Sequence, residues 1–211
     1  MFKKLFGLGQ KPTPRQLTSV DQLEKGDIIT FKHRQILPET MQGASFEVTH
    51  VASYQYDNGS VKELTLANEQ QQSYFLSLEQ EDGEANLVLS QKLPRSQVLS
   101  LFDEDDFAQL WEPGYCQLSS QNIPAELTPW VTHNYQQTIN EGEAYFYNRD
   151  LTKQAASLST DDDGEPLRYH ECEGQDDHYG LSVEVWADGT TDVAVVIYCP
   201  LDVIEEFHPH G

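Results

Sequence analysis

A chain of 211 residues with 35 acidic and 13 basic side chains carries a formal net charge of -22. That imbalance excludes a nucleic-acid binder, which needs clustered Lys and Arg against phosphates. The length suffices for one substantial domain or two small ones without metals or disulfides, and a 38% hydrophobic share with 10% aromatics is that of a globular chain.

The charge is uneven along the chain. Lys3, Lys4, Lys11, Arg15, Lys25, Lys32 and Arg34 stand against three acids in residues 1–34, a local balance of +4 that leaves -26 for the rest. Residues 1–16 are expected to form a flexible basic leader, because Gly7 and Gly9 interrupt the apolar Phe2, Leu5, Phe6 and Leu8. Contact of that leader with a membrane surface or a partner groove is the alternative. It lacks the apolar run of a secretory signal, and no stretch approaches the ~20 apolar residues of a membrane span.

LTSVDQLEKGDIITFKH reads as a helical turn, a turn at Gly26-Asp27 and a strand over about 27–33. SFEVTHVASYQYDNGSVKELTLANE reads as a hairpin turning at Asn58-Gly59. On its return strand Leu64 and Leu66 alternate with Glu63 and Thr65, which predicts one buried face and one wet face. YFLSLEQEDGEANLVLS repeats the device, with Leu76 and Leu78 opposed to Ser77 and Glu79 and a turn at Asp82-Gly83. A meander of this kind curls into a small barrel or covers its core with a helix.

SQVLSLFDEDDFAQLWE supplies that helix, or two short ones, through Val98, Leu101, Phe102, Phe107, Leu110 and Trp111. Asp103, with Asp106 three positions on, suits a helix start near Phe102, so the DEDD run reads as a cap rather than a metal site. Pro113-Gly114 ends the segment. IPAELTPWVTHNYQQTI then looks partly helical, and EAYFYN, LRYHEC, LSVEVW and DVAVVIY read as strands.

The stretch from Tyr179 echoes the one from Tyr74. Tyr74, Leu76, Ser77, Glu79, Asp82, Gly83 and Pro94 meet Tyr179, Leu181, Ser182, Glu184, Asp188, Gly189 and Pro200 once a single insertion is allowed. Leu78, Leu87, Leu89, Val98 and Leu101 match Val183, Val193, Val195, Ile204 and Phe207 in character. Both copies read strand, Asp-Gly turn, strand, Pro, apolar turn, as duplicated β modules require.

The chemical motifs are weak. SLSTDDDGEPLRYHE places Asp161, Asp163 and Gly164 like part of a calcium loop, but Ser159 and His170 occupy the first and twelfth positions, where acids belong. His170, Cys172 and His178 lack the spacing of a zinc site, and His208 with His210 reads as a mobile tail. Cys116, Cys172 and Cys199 form no disulfide framework, which favours a reducing compartment. Cys116 and His133 have no recognised nucleophile context, and no phosphate-binding glycine motif occurs. Trp111, Trp130 and Trp186 read as core or contact residues, with Trp186 on the face opposite Val183 and Val185.

LEKGDIITF, FEVTHVASYQY, ELTLANE and YFLSLEQEDG, followed by LRYHECEG, LSVEVWADGTTDVAVVIY and DVIEEFHP, resemble the YjfK-like family of uncharacterised bacterial proteins. The first half is also similar to a widespread bacterial β module of unknown function with Gly-Asp before its first strand. The resemblance implies no assigned activity, no catalytic residues and a link to membrane-stress proteins.

The resulting expectation is an α+β, predominantly antiparallel β protein. It comprises two tandem, duplicated β-meander or small-barrel modules, residues 17–112 and 113–211, with short flanking helices behind the leader. Its expected role is a non-enzymatic cytoplasmic interaction module presenting an acidic surface to a basic or membrane-associated protein partner. The alternatives are a binder of polyamines or divalent cations and a hydrolase of unknown substrate. No catalytic, cofactor-binding or metal residues are assigned, and no cofactor is expected.

Overall fold

A computed structural model of the chain describes residues 15–81, 83–152 and 163–210. The expectations for the leader before Arg15, for Asp82 and for Asp161 and Asp162 lie outside these residues. The chain forms β1 (Ile28–Phe31), β2 (Ser45–Tyr56), β3 (Gly59–Ala67), β4 (Ser73–Glu81) and β5 (Glu84–Leu93), then α1 (Arg95–Leu101) and α2 (Glu104–Ala108). It continues with β6 (Gln117–Ser119), β7 (Asn134–Tyr147), β8 (Glu165–Gly174), β9 (Tyr179–Trp186), β10 (Thr191–Pro200) and β11 (Ile204–His208). Fold and sequence agree on a predominantly antiparallel β architecture with short helices.

The strands run in the order β11-β1-β2-β3-β4-β5-β10-β9-β8-β7-β6, and β2 also pairs with β7. That extra pairing, Ser53 to Tyr147 through Gln55 to Tyr145, closes β2-β3-β4-β5-β10-β9-β8-β7 into an eight-stranded barrel. The regions expected as two modules thus contribute four strands each to one ring. They meet along β5 and β10, where Leu87 lies opposite Cys199 and Leu93 opposite Val193. β1 extends the sheet beyond the start of β2, as β6 does beyond the start of β7.

The hairpins follow their turn residues. Gly83 and Gly189 sit at φ +88° and +86°, a region that a β-carbon disfavours, so each tight reversal falls on its glycine. Asp103 caps α2 by accepting from the amides of Asp105 and Asp106, which settles the role of the first acid in the DEDD run. The expected helix after Ile123 shrinks to a single turn at Ala125–Leu127, because Pro124 starts it and the chain soon enters β7.

Alternation along each strand makes two layers of opposite character. Leu64, Leu66, Leu76, Leu87, Leu89, Val183, Val193, Val195 and Ile197 face one way and are buried in a single large cluster. That cluster lies on the outside of the barrel, covered by β1, β11 and the connection from α1 to Val131. Phe31 packs on Phe46, Phe46 on Tyr74, and Tyr74 stacks on Trp130 with ring centroids 5.4 Å apart. Truncating an aromatic so enclosed removes about 3–5 kcal/mol.

The end of the chain is fastened down, which corrects the reading of His208 and His210 as a mobile tail. β11 pairs with β1, and the amide of His210 donates to Asp27 Oδ1 at 2.8 Å. Asp27 has no exposed surface, and its carboxylate also accepts from the Glu24 amide at 2.7 Å and from Arg15.

One glycine inside the wall is a packing requirement. A β-carbon at Gly142 would sit 2.5 Å from Tyr169 Cζ, so the close pairing of β7 with β8 depends on its absence. Gly142→Ala is expected to cost about 1–3 kcal/mol by overpacking, read as a lower Tm.

Candidate functional site

The other face of the same strands lines the inside of the barrel. Val61 and Glu63 on β3, Ser77 and Glu79 on β4, and Ser90 and Lys92 on β5 point there. So do Asp192 and Tyr198 on β10, Ser182 and Glu184 on β9, Tyr169 and Glu171 on β8, and Tyr54 and Tyr56 on β2. They enclose a space of about 360 Å³. The inward direction follows from side chains that meet across the ring. Tyr54 interacts with Glu184, three strands away around the shorter arc, and Glu171 interacts electrostatically with Glu79, four strands away. Neither encounter is possible over a convex outer wall of strands about 4.8 Å apart.

One flank of the lumen is aromatic. Tyr54 packs edge-on against Phe146, Phe146 against Trp186, and Tyr56 against Tyr169. With Ala144 and Leu167 they form a second, smaller apolar cluster, separate from the outer one. Trp186 does lie opposite Val183, and its face is the lumen.

The lumen is acidic, and its charges gather at two centres. At the first, Lys92 Nζ lies 2.7 Å from Asp192 Oδ2 and 3.8 Å from Glu184 Oε2, with the Phe75 ring centroid 5.3 Å away. Glu63 is close enough to repel Glu184 and to be attracted by Lys92. At the second, Glu171 stands with Glu79 beside Tyr56 and Tyr169.

Neither the Glu63 nor the Glu171 carboxyl makes a hydrogen bond or ion pair among the described residues. Both are half-buried side chains that line the inner space. Burial, reinforced by neighbouring carboxylates, pushes Glu63 up to about 8 and Glu171 up to about 7. Burial also raises Glu184, against the pull of Lys92 and of the Tyr54 hydroxyl. Tyr54 itself is held far above the ordinary phenol range, first by burial and then by the surrounding carboxylates.

The motifs singled out from sequence lie elsewhere. His170 and Cys172 are buried on the outer face, where the His170 ring packs on Trp111 and its Nδ1 lies 3.3 Å from Gln137 Nε2. Burial lowers the His170 pKa and raises the Cys172 and Cys199 thiols to about 12. His178 Nδ1 is instead engaged by the Tyr198 carbonyl at 2.7 Å. Asp163 is held by Arg149. Among the described residues no three His, Cys, Asp or Glu side chains converge as a metal site, and no hydrogen bond joins Cys116 to His133.

The lumen carboxylates escaped the sequence reading because Ser77, Glu79 and Glu63 were placed on a wet exterior. A signal was present: Ser77-Leu78-Glu79 and Ser182-Val183-Glu184 repeat the polar residues as faithfully as the apolar ones.

Residues 40–196 match the model of a domain of unknown function, DUF4178, which spans all eight barrel strands apart from the last residues of β10. No curated protein and no solved structure matches. The match fits the expected uncharacterised domain at that level and carries no YjfK-like label.

Proposed function

The chain belongs to the DUF4178 family, a membership that assigns no activity, and we propose that it is a non-enzymatic binding module whose barrel lumen takes a small organic cation. The observation that carries this reading is the pair of enclosed, unpartnered carboxyls, Glu63 and Glu171, in an aromatic-walled space. Such carboxyls are costly to ionise alone and gain most from a cation that enters with them. Aromatic walls add attraction for an organic cation.

An organic ligand is favoured over a divalent metal because the carboxyls are spread around the lumen rather than converging on one point. Binding is favoured over hydrolysis because no histidine or cysteine is among the described residues lining the space. The expected protein partner is the second reading of the acid excess and belongs to the exterior. The lumen takes precedence because its carboxyls are enclosed, whereas those outside are solvated.

A reducing, cytoplasmic setting is part of this proposal, supported by three free cysteines. Duplication of a five-strand unit accounts for the echo, supported by the matching places of β1–β5 and β6–β10 in the sheet. The functional test is thermal denaturation with millimolar butylammonium, spermidine, magnesium or calcium. Stabilisation by the amines and none by the metals is expected; the reverse order would refute the proposal.

A further inference from the structure

The two acidic centres occupy equivalent places in the two halves. Ser77 and Glu79 correspond to Ser182 and Glu184 in the echo. In β8, Glu171 lies opposite Ser182; in β3, one step on from Leu64 opposite Leu76, Glu63 takes the place opposite Ser77. Glu63 therefore corresponds to Glu171. Each centre combines a β3-type glutamate from one half with a β4-type glutamate from the other: Glu63 with Glu184, and Glu171 with Glu79.

The first centre already holds a primary ammonium, that of Lys92, between carboxylates and over the Phe75 ring. The position matching Lys92 in the second half is Tyr198, through the alignment of Pro94 with Pro200. The second centre has the same chemistry without a lysine at that position. Its glutamate Glu171 makes no hydrogen bond or ion pair among the described residues, and its aromatic wall is the Tyr56 and Tyr169 pair, ring centroids 5.3 Å apart.

Building on the lumen as a cation site, we infer that the ligand is a primary alkylammonium whose charged end sits at Glu171 and Glu79, as Lys92 sits at the opposite centre. An ammonium group carries three donors for carboxylate oxygens, which a quaternary ammonium lacks. Its alkyl tail would then lie along the aromatic flank, where the lumen is apolar.

The test is calorimetric titration of the full chain at about pH 8.5, where both carboxyls ionise and the amine stays charged. The probes are butylammonium, tetramethylammonium and magnesium, against wild type, Glu171→Gln and Glu63→Gln, with melting curves confirming that each variant folds. Butylammonium should bind at least about tenfold tighter than tetramethylammonium. Glu171→Gln should weaken butylammonium by about tenfold or more, and Glu63→Gln, which removes charge from the same lumen but at the Lys92 centre, by about threefold. Equal binding of the two amines, or an equal loss in both variants, would overturn the placement at Glu171 while leaving a lumen cation site intact. Absence of binding by every probe would overturn both. The wild-type comparison of the two amines stands even if a variant fails to fold.

Discussion

Glu63→Gln is expected to make the protein more stable, and increasingly so as the pH rises. Glu63 and Glu171 hold their protons more tightly in the fold than in the unfolded chain, with folded values of about 8 and about 7. Their contribution to stability is complete below the ordinary carboxylate range and is lost as the pH rises through those values. In the wild type each such group lowers stability by up to about 1.4 kcal/mol per pH unit between its unfolded and folded values. Water in the lumen reduces that effect, and a gain on the order of 2 kcal/mol for the variant near pH 8 is the reasonable scale. In a chain of this length that is a Tm higher by roughly 4–8 °C. Near pH 5 the two proteins should melt together, since the wild-type carboxyl is then neutral as well. Melting curves from pH 5 to pH 9 decide the matter, and parallel profiles would show that Glu63 is solvated like a surface residue.

The opposite effect is expected at Asp27, which is sealed from solvent and collects three donors from separate parts of the chain. Asp27→Ala removes one of the two carboxylates that hold Arg15, the other being that of Glu24, and takes the acceptor away from the Glu24 and His210 amides. A buried orphan donor costs about 1–3 kcal/mol, and these two amides are only partly buried, so a total loss of about 2 kcal/mol is expected. Amide exchange should localise the damage: the β11 amides bonded to β1 should lose protection first, with the barrel strands retaining theirs. Asp27→Asn, which keeps an acceptor, should lose less. Uniform loss of protection across the barrel would instead make Asp27 part of the global core.

Much of the fold was legible because period-two patterning and Asn-Gly or Asp-Gly turns are local signals. The strands around Asn58-Gly59 and Asp188-Gly189 formed where those residues placed them, and Asp103 capped a helix because its carboxylate is next to free amides. Closure was illegible, since the register of β2 against β7 joins residues 90 to 94 positions apart through three pairs, and nothing local specifies it. Without closure, the polar face of a meander reads as exterior. The structure inverts that: Leu64, Leu66 and Leu76 lie outside the barrel under a covering of other segments, and Glu63, Ser77 and Glu79 lie inside.

The same inversion changes the meaning of the echo. The shared Ser and Glu of the two copies are the inner wall of a common chamber, while the shared Leu and Val hold its outer jacket. The two echoing stretches differ at the centres themselves, with Lys92 at one and Tyr198 at the corresponding place of the other.

The central claim, that the lumen rather than the acidic exterior is the binding surface, is open to one direct measurement: a backbone amide NMR titration of the wild type with butylammonium. Saturable shifts confined to strand residues flanking the lumen, around Glu171, Ser182 and Ser77, are the predicted result. Shifts gathered instead at exposed acids such as Asp103 to Asp106, or growing linearly without saturation, would contradict it.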